Sequence, residues 1–452
     1  MGQNENIRQQ KVPKRILSSL ISSVSAGVVP RSGAPYIAIG RRDEISAFLS
    51  DLELINDGGG SMRFLIGRYG SGKSFLMQLI RGYALERDFL TADCDLSPER
   101  RLYGSGGNGV ATYRELMKNL ASKSSADGGA LQKIIAKWIF QLENEIGEDA
   151  SDDPSKIAVS LEKEIRRQLS ELEFLVGGFD FSRVIREYYT AVRSGNDNVA
   201  AACLRWLRGE YSTKTEAKRE LGFDVSLVIG DGNWYDFLKL WAALSHRMGY
   251  RGLLVFIDEC VNLYKIPHRV SRENNYEKIL SMFNDTLQGR AEYLGIVLGG
   301  TPQFLEDTRR GLFGYEALRS RLCDSRFNVE GCKNLVGPVI RLTRLSDDEL
   351  LALVVRMTAL HGQNFNWEPR VTEEDQLRFL KVCLERAGAD SMITPREMLR
   401  DYMTVLNILM QNPEMKFSDV VVGGDCNGNK SDNGIVPADG DASRFDPDDI
   451  DF

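Results

Sequence analysis

Eight consecutive residues, Gly67-Arg68-Tyr69-Gly70-Ser71-Gly72-Lys73-Ser74, satisfy the pattern G-x-x-x-x-G-K-[ST] at every constrained position. Glycines at those places let the main chain curl so that successive N–H groups point inward, where they can cradle phosphate oxygens. A helix opening near Lys73 adds the positive end of its dipole. Lys73 is expected to reach the β- and γ-phosphates of a nucleotide, and the Ser74 hydroxyl to coordinate Mg²⁺. Gly67, Tyr69, Gly70, Ser71, Gly72, Lys73, Ser74 and Phe75 are therefore expected at the nucleotide. A second cluster lies far downstream. Leu253-Leu254-Val255-Phe256-Ile257 is an apolar run that ends in Asp258-Glu259. Asp258 would hold Mg²⁺ and Glu259 would deprotonate an attacking water. Paired carboxylates favour hydrolysis over transfer to a small acceptor, because water needs a base.

These groups need strands that stop at one edge and helices that start there. Residues 63–66 predict a strand before the loop, 75–87 a helix after it, and 89–95 a second strand ending at Asp95. That order is a βαβ unit, which builds a parallel sheet. The apolar run at 253–257 reads as a strand buried on both faces, and 293–298 and 339–342 as two more. The strand at 293–298 ends in Gly299-Gly300-Thr301, which places Thr301 beside the acidic pair, within reach of the attacking water or the γ-phosphate. Upstream, 14–26 reads as a short helix, 37–40 as an extended approach, and 41–54 as a helix. Between the two catalytic clusters, Leu131, Ile134, Ile135, Trp138 and Leu142, then Ile157, Leu161, Ile165 and Leu169, recur at helical spacing. The block at about 110–245 is expected to be a helical insertion without chemistry of its own, broken by an acidic loop at 147–154. Trp138, Trp206, Trp234 and Trp241 are expected to pack its core. The stretches 350–360, 377–384 and 396–410 predict further helices, a C-terminal helical lid.

The chain has 452 residues, enough for two or three domains. Hydrophobic residues make up 42% and charged residues 27%, the values of a soluble globular protein. No apolar stretch is long enough to cross a membrane, and seven scattered cysteines without a C-x-x-C pair fit a reducing cytoplasm. Three histidines far apart make a His-rich metal site an unattractive reading. The net charge of −7 is concentrated at the end: eight aspartates against Lys430 and Arg444 after Gly423 leave the body near neutral. That body can still carry a basic face for nucleic acid. The tail is expected to be disordered, although Phe445, Ile450 and Phe452 among its charges could anchor it on a partner.

The order of parts after Glu259 resembles AAA+ ATPases, in particular their origin-recognition and clamp-loader branch. Gly40-Arg41-Arg42-Asp43-Glu44 looks like that branch's motif near the adenine, Thr301 like its sensor 1, Ser320-Arg321 like its arginine finger, and Pro395-Arg396 like its sensor 2 in the lid. A closer resemblance runs through Asp95-Leu96-Ser97-Pro98, Leu204-Arg205-Trp206-Leu207-Arg208-Gly209, Ile257-Asp258-Glu259-Cys260 and Tyr315-Glu316-Ala317-Leu318-Arg319-Ser320-Arg321-Leu322. These segments together are similar to BREX-type ATP-binding proteins, the BrxD group. The resemblance implies bacterial defence against phage, ATP and Mg²⁺ as cofactors, a homo-oligomer in which Arg319 or Arg321 reaches a neighbour's γ-phosphate, and a superfamily 2 helicase and DNA among the partners.

The organisation expected is an N-terminal helix (1–27), an α/β P-loop NTPase domain of the AAA+ kind, its parallel sheet flanked by helices, with the insertion (28–345), a C-terminal helical lid (346–422) and the acidic tail (423–452). Two rival functions stay open beside ATP hydrolysis: a nucleotide-gated switch or scaffold, and an origin-type helicase loader. A small-molecule kinase would leave Glu259 and the arginines without a role.

Overall fold

The structure, a computed structural model, describes residues 12–104, 106–149, 154–324, 333–386 and 394–423. The acidic tail beyond Gly423, the first eleven residues and the centre of the acidic loop expected at 147–154 lie outside the described residues.

Five strands form one parallel sheet: β1 (Ser61–Gly67), β2 (Leu90–Asp95), β3 (Leu253–Asp258), β4 (Leu294–Gly300) and β5 (Val339–Leu342), in the order β2-β3-β4-β1-β5. Their runs are apolar because both faces are covered. All seven residues of β4 are buried, as are the first five of β3. The chain leaves β1 through the helix Lys73–Glu86, reaches the far edge at β2, then returns through β3 to β4 beside β1. The carboxyl ends of β1, β4 and β3 therefore adjoin, and in an open α/β sheet that reversal of strand order is where ligands bind.

One face of the sheet packs on the helices Arg42–Asn56 and Lys73–Glu86 through Phe48, Leu52, Ile55, Leu76 and Ile80. The other face carries the insertion, whose helices run from Asn108–Lys118 to Trp234–Arg247. The insertion has no separate core. Met62, Phe64, Val255 and Ile296 of the strands belong to the same buried cluster as Tyr113, Trp138, Trp206, Trp234 and Trp241. Trp241 donates from Nε1 to the Tyr113 hydroxyl at 3.1 Å, which donates to the Leu207 carbonyl at 2.8 Å, so the polar tips of these two side chains are satisfied inside.

A third core joins the two ends of the chain. The helix Lys14–Ser25 buries Leu17, Leu20, Ile21 and Val24 among Val354, Met357, Tyr402, Met403 and Leu406 of the helices Asp347–Phe365 and Pro395–Gln411. Capping boxes start both C-terminal helices, Ser346 with Glu349 and Thr394 with Glu397.

Several local expectations are corrected. The extended approach expected at 37–40 starts only at Ala38. Gly33 at φ +80° and Pro35 instead start a 3₁₀ turn, Ala34–Ile37. A long helix, Arg269–Leu287, precedes β4, and the helix expected to end at Gly147 continues to Asp149. Among the described residues no helix is long and apolar enough to cross a membrane.

Candidate functional site

β1 stops at Gly67 and a helix starts at Lys73, with Gly70 and Gly72 at φ +76° and +89° between them. Only glycine enters that region without strain, so the turn needs both. Gly72 caps the helix without a side chain, which leaves its first N–H groups facing the loop. Gly70 also touches the C-terminal helices, since a Cβ there would stand 2.5 Å from Thr394 Cγ2. Lys73 Nζ donates to the carbonyls of Gly67 and Arg68 at 2.9 and 3.2 Å, so the main chain holds it inside the loop. Burial lowers its pKa, opposed by the charges of Asp258 and Glu259.

The acidic pair meets the loop at the end of β3. Ser74 Oγ donates to Asp258 Oδ2 at 2.6 Å, and the Glu259 N–H donates to Asp258 Oδ1 at 2.8 Å. Both oxygens of Asp258 are thereby oriented. Gly299 on the adjoining β4 makes room for them, because a Cβ there would fall 2.3 Å from Asp258 Oδ1. Glu259 has φ +56°, a left-handed conformation that costs a non-glycine residue roughly 1–2 kcal/mol. Its carboxylate is exposed and lines the same cavity as Lys73. Asp95 pairs in register with Asp258. Burial, then the charges of Asp258 and Glu259, raise its pKa, so it is a third carboxyl at this edge.

The cavity holds about 260 Å³. Its floor is Tyr69 to Phe75 with Glu259, and its roof comes from both ends of the chain: Val24 and Val28 to Pro30 on one side, Leu353, Thr394, Arg396 and Leu399 on the other. Lys73, Arg41 and Arg396 put three cations around it against the Glu259 carboxylate, a balance suited to a polyanion. The apolar roof suits a flat ring. The helix Pro395–Gln411 also turns its N-terminus toward the cavity through Thr394 and Pro395.

The sequence-derived residues distribute unevenly. Tyr69, Gly70, Ser71, Gly72, Lys73, Ser74, Phe75, Glu259 and Arg396 line the cavity, with Gly67 and Asp258 directly behind it. Gly40 lies between lining residues Ile39 and Arg41 and faces away. A Cβ there would stand 2.1 Å from Glu349 Oε1, so its glycine lets the linker pass the capping box. Thr301 caps the short helix Pro302–Glu306 by accepting from the Phe304 N–H, and it opens on a neighbouring trough with Arg68 and Tyr69. Arg319 and Arg321 sit on the helix Glu316–Leu322, both exposed and outside this cavity. Arg319 lies 4.0 Å from Glu316, and Arg321 donates to Asn284 Oδ1 and the Ala317 carbonyl.

Sequence reasoning missed Arg41 as a structural clamp. Its guanidinium is buried and donates from Nη2 to the carbonyls of Ser71 and Thr343 at 3.0 and 2.8 Å, tying the phosphate loop to the end of β5. The motif Gly40-Arg41-Arg42-Asp43-Glu44 pointed to the adenine, and nothing local in it signals a reach to the end of β5.

Comparison with curated proteins finds no match. A family profile described as BREX system ATP-binding protein BrxC/D matches residues 12–424, taking in the phosphate loop, the acidic pair and both halves of the cavity's roof. With that span and that site, the chain belongs to the BREX system ATP-binding protein BrxC/D family.

Proposed function

We propose that this protein is a Mg²⁺-dependent ATPase of the AAA+ kind that works as a homo-oligomer in a cytoplasmic anti-phage defence complex, with DNA and a superfamily 2 helicase among its partners. The observation that carries the reading is the 2.6 Å bond between Ser74 and Asp258, with Glu259 and Lys73 lining one cavity beside it. The residues fit Mg²⁺ bound together with a nucleotide. Among the described residues no group of three or more His, Cys, Asp or Glu could hold a metal unaided, and Mg²⁺ ordinarily takes one or two protein ligands plus phosphate oxygens and waters. Ser71 Oγ is buried in the phosphate loop without a partner, an orphaned donor that a phosphate oxygen would satisfy. Mg²⁺, when bound through Ser74 and Asp258, supplies neutralisation of charge on the phosphates.

The chain's own groups do the rest. Lys73 leaves the Gly67 and Arg68 carbonyls to pair with the β,γ-phosphates. Glu259 accepts the proton of the attacking water on its carboxylate. Thr301 orients that water from the end of β4. The helices from Asp347 onward act as a lid, with Arg396 on the nucleotide. Arg319 or Arg321 of a neighbouring subunit stabilises the transferring phosphate. ATP turnover and sedimentation, measured with and without DNA, test the reading. Turnover that requires Mg²⁺ and rises with DNA supports it, and a chain that binds ATP without hydrolysing it points to the nucleotide-gated switch instead. An ATP-dependent stable complex with a helicase, without DNA-stimulated turnover, would favour an origin-type loader.

A further inference from the structure

Immediately after Glu259 the chain makes a four-residue helix, Val261–Tyr264, and then an exposed turn at Lys265, Pro267, His268 and Arg269. Two arginines hold this turn from beneath. Arg272, only 6% exposed, donates to the Ile266 carbonyl at 2.9 Å. Arg310 donates to the same oxygen and to the Tyr264 carbonyl, both at 3.2 Å. Neither guanidinium has a carboxylate within ion-pair distance among the described residues, and Arg310 Nε is buried without a partner. Arg310 rests over the Tyr264 ring at 5.4 Å, and the two guanidinium charges at this oxygen are left without a carboxylate partner among the described residues, free to attract an anion from outside.

More positive charge surrounds them. Lys265 and Arg309 are exposed and form no ion pair among the described residues. Arg269 pairs with Glu273 at 2.7 Å. Asp307, also packed here, accepts from the Tyr264 hydroxyl and the N–H groups of Arg309 and Arg310. Glu306 nearby reaches Arg341. Arg309 also borders the open trough of about 960 Å³ that runs to the phosphate loop, with Arg68, Thr301, Gln303, Thr308 and Arg344 along it and the 79%-exposed Tyr69 at its end; its two lining carboxylates, Glu306 and Asp307, already have the partners just named. Arginine, lysine, threonine and glutamine are the side chains that contact a phosphodiester backbone, and an exposed aromatic ring can stack a base. Cations spread between a turn and a trough suit a chain of phosphates rather than one phosphate group.

We propose that the turn at 265–269, with Arg309 and the adjoining trough, is a contact surface for the phosphate backbone of DNA, and that DNA there acts on Glu259 through the helix Val261–Tyr264. The inference deepens the ATPase reading above and rests on it for the second half. The lever is short, about 6 Å for four residues. It is tied at both ends: the Asn262 N–H donates to the Glu259 carbonyl and the Lys265 N–H to the Val261 carbonyl. Asn262 Nδ2 donates to the Leu96 carbonyl, which anchors the lever against the strand that bears Asp95. A shift of the turn therefore reaches a residue already held in a strained left-handed conformation.

The test uses the full chain, labelled single-stranded and duplex oligonucleotides, and the double variant Lys265→Ala with Arg309→Ala. Anisotropy is measured across a salt series in ADP, independent of hydrolysis, and ATP turnover is measured separately. Each phosphate contact removed should lower the salt slope of duplex binding by about 1, so the double variant should lose about 2 together with most of its affinity. Basal turnover should persist while stimulation by DNA disappears, and Lys265→Arg with Arg309→Lys should restore both. A double variant with unchanged affinity and slope overturns the surface, as does a wild type that does not bind DNA. Stimulation that survives at saturating DNA overturns the lever. A wild type that hydrolyses no ATP, but loses DNA binding on substitution, overturns the lever and the ATPase reading and leaves the surface supported.

Discussion

The floor and the roof of the cavity are made by opposite means. The floor is local. Gly70, Gly72, Lys73 and Ser74 are neighbours in the chain, and what they require is a strand before them and a helix after them. Only Asp258 and Glu259 come from elsewhere, delivered by strand pairing. The roof is almost wholly non-local. Val24 and Leu399 meet because an N-terminal helix and the C-terminal helices share one apolar core, a union that also brings Ser18 Oγ to Asn364 Oδ1 at 2.9 Å. A floor built from hydrogen bonds and glycine turns is rigid, as the proposed phosphate receptor must be. A roof built from side-chain packing can open by separating helices, so nucleotide binding and roof closure are expected to be linked.

Substitutions can divide the two. Lys73→Ala should have the largest effect, lowering ATP turnover by roughly a thousandfold because the phosphates lose the loop's cation. Phosphate release and nucleotide affinity, measured together, check it, and near-normal turnover would remove the floor from the mechanism. Glu259→Gln should slow hydrolysis by about 10²–10³-fold while ATP stays bound, since an amide accepts no proton. A rate equal to wild type would deny Glu259 the role of base. Arg321→Ala should bind ATP normally and hydrolyse it slowly. Activity should reappear when it is mixed with Lys73→Ala, as some interfaces then join an intact loop to an intact finger. Failure of exchanging subunits to regain activity would place Arg321 outside any shared site.

The roof predicts a different signature. Leu20 is fully buried between the two chain ends, and Leu20→Ala should destabilise that core by about 2–5 kcal/mol. ATP affinity should weaken about tenfold, with turnover at saturating ATP little changed. An equal fall in both would mean that floor and roof are one rigid unit. The smallest effect concerns His361, fully buried among the roof helices. Its Nδ1 accepts from Trp367 Nε1 at 2.9 Å, and its Nε2 faces Asn407 Oδ1 at 3.0 Å. The indole can only donate, so Nδ1 is the bare nitrogen and protonating it breaks that bond. Burial lowers the His361 pKa below the ordinary 6.5, against the bond to Asn407. The unfolded chain thus takes up its proton first. Stability is full above pH 6.5 and falls as the pH drops below it. Thermal unfolding across that range should show the loss, and His361→Gln should flatten it.

Much of the floor was legible in the sequence because its chemistry demands residue types at set spacing. Phosphate binding needs glycines, a lysine and a hydroxyl in one turn, and a buried strand ending in carboxylates stands out from its surroundings. The apolar runs located all five strands to within two residues. The pattern did not foresee that the helices between β2 and β3 share their core with one face of the sheet, because apolar periodicity tells which face of a helix is buried and not against what. The same limit hid the partner of the first helix. Four apolar residues at helical spacing mark Lys14–Ser25 as amphipathic, yet nothing near them points to residues beyond Asp347.

The geometry of the loop was thus settled by local sequence, since main-chain turns and a capping glycine act over distances of a few residues. What only the tertiary structure decided is which distant groups enclose that loop. Arg41 became a clamp because β5 ends beside the loop, Gly299 became a necessity because β4 lies next to β3, and Gly40 was drawn to Glu349 instead of the cavity. Such roles depend on the order of strands and the packing of helices. These follow from the balance of buried area over the whole chain, and no short stretch of residues contains it.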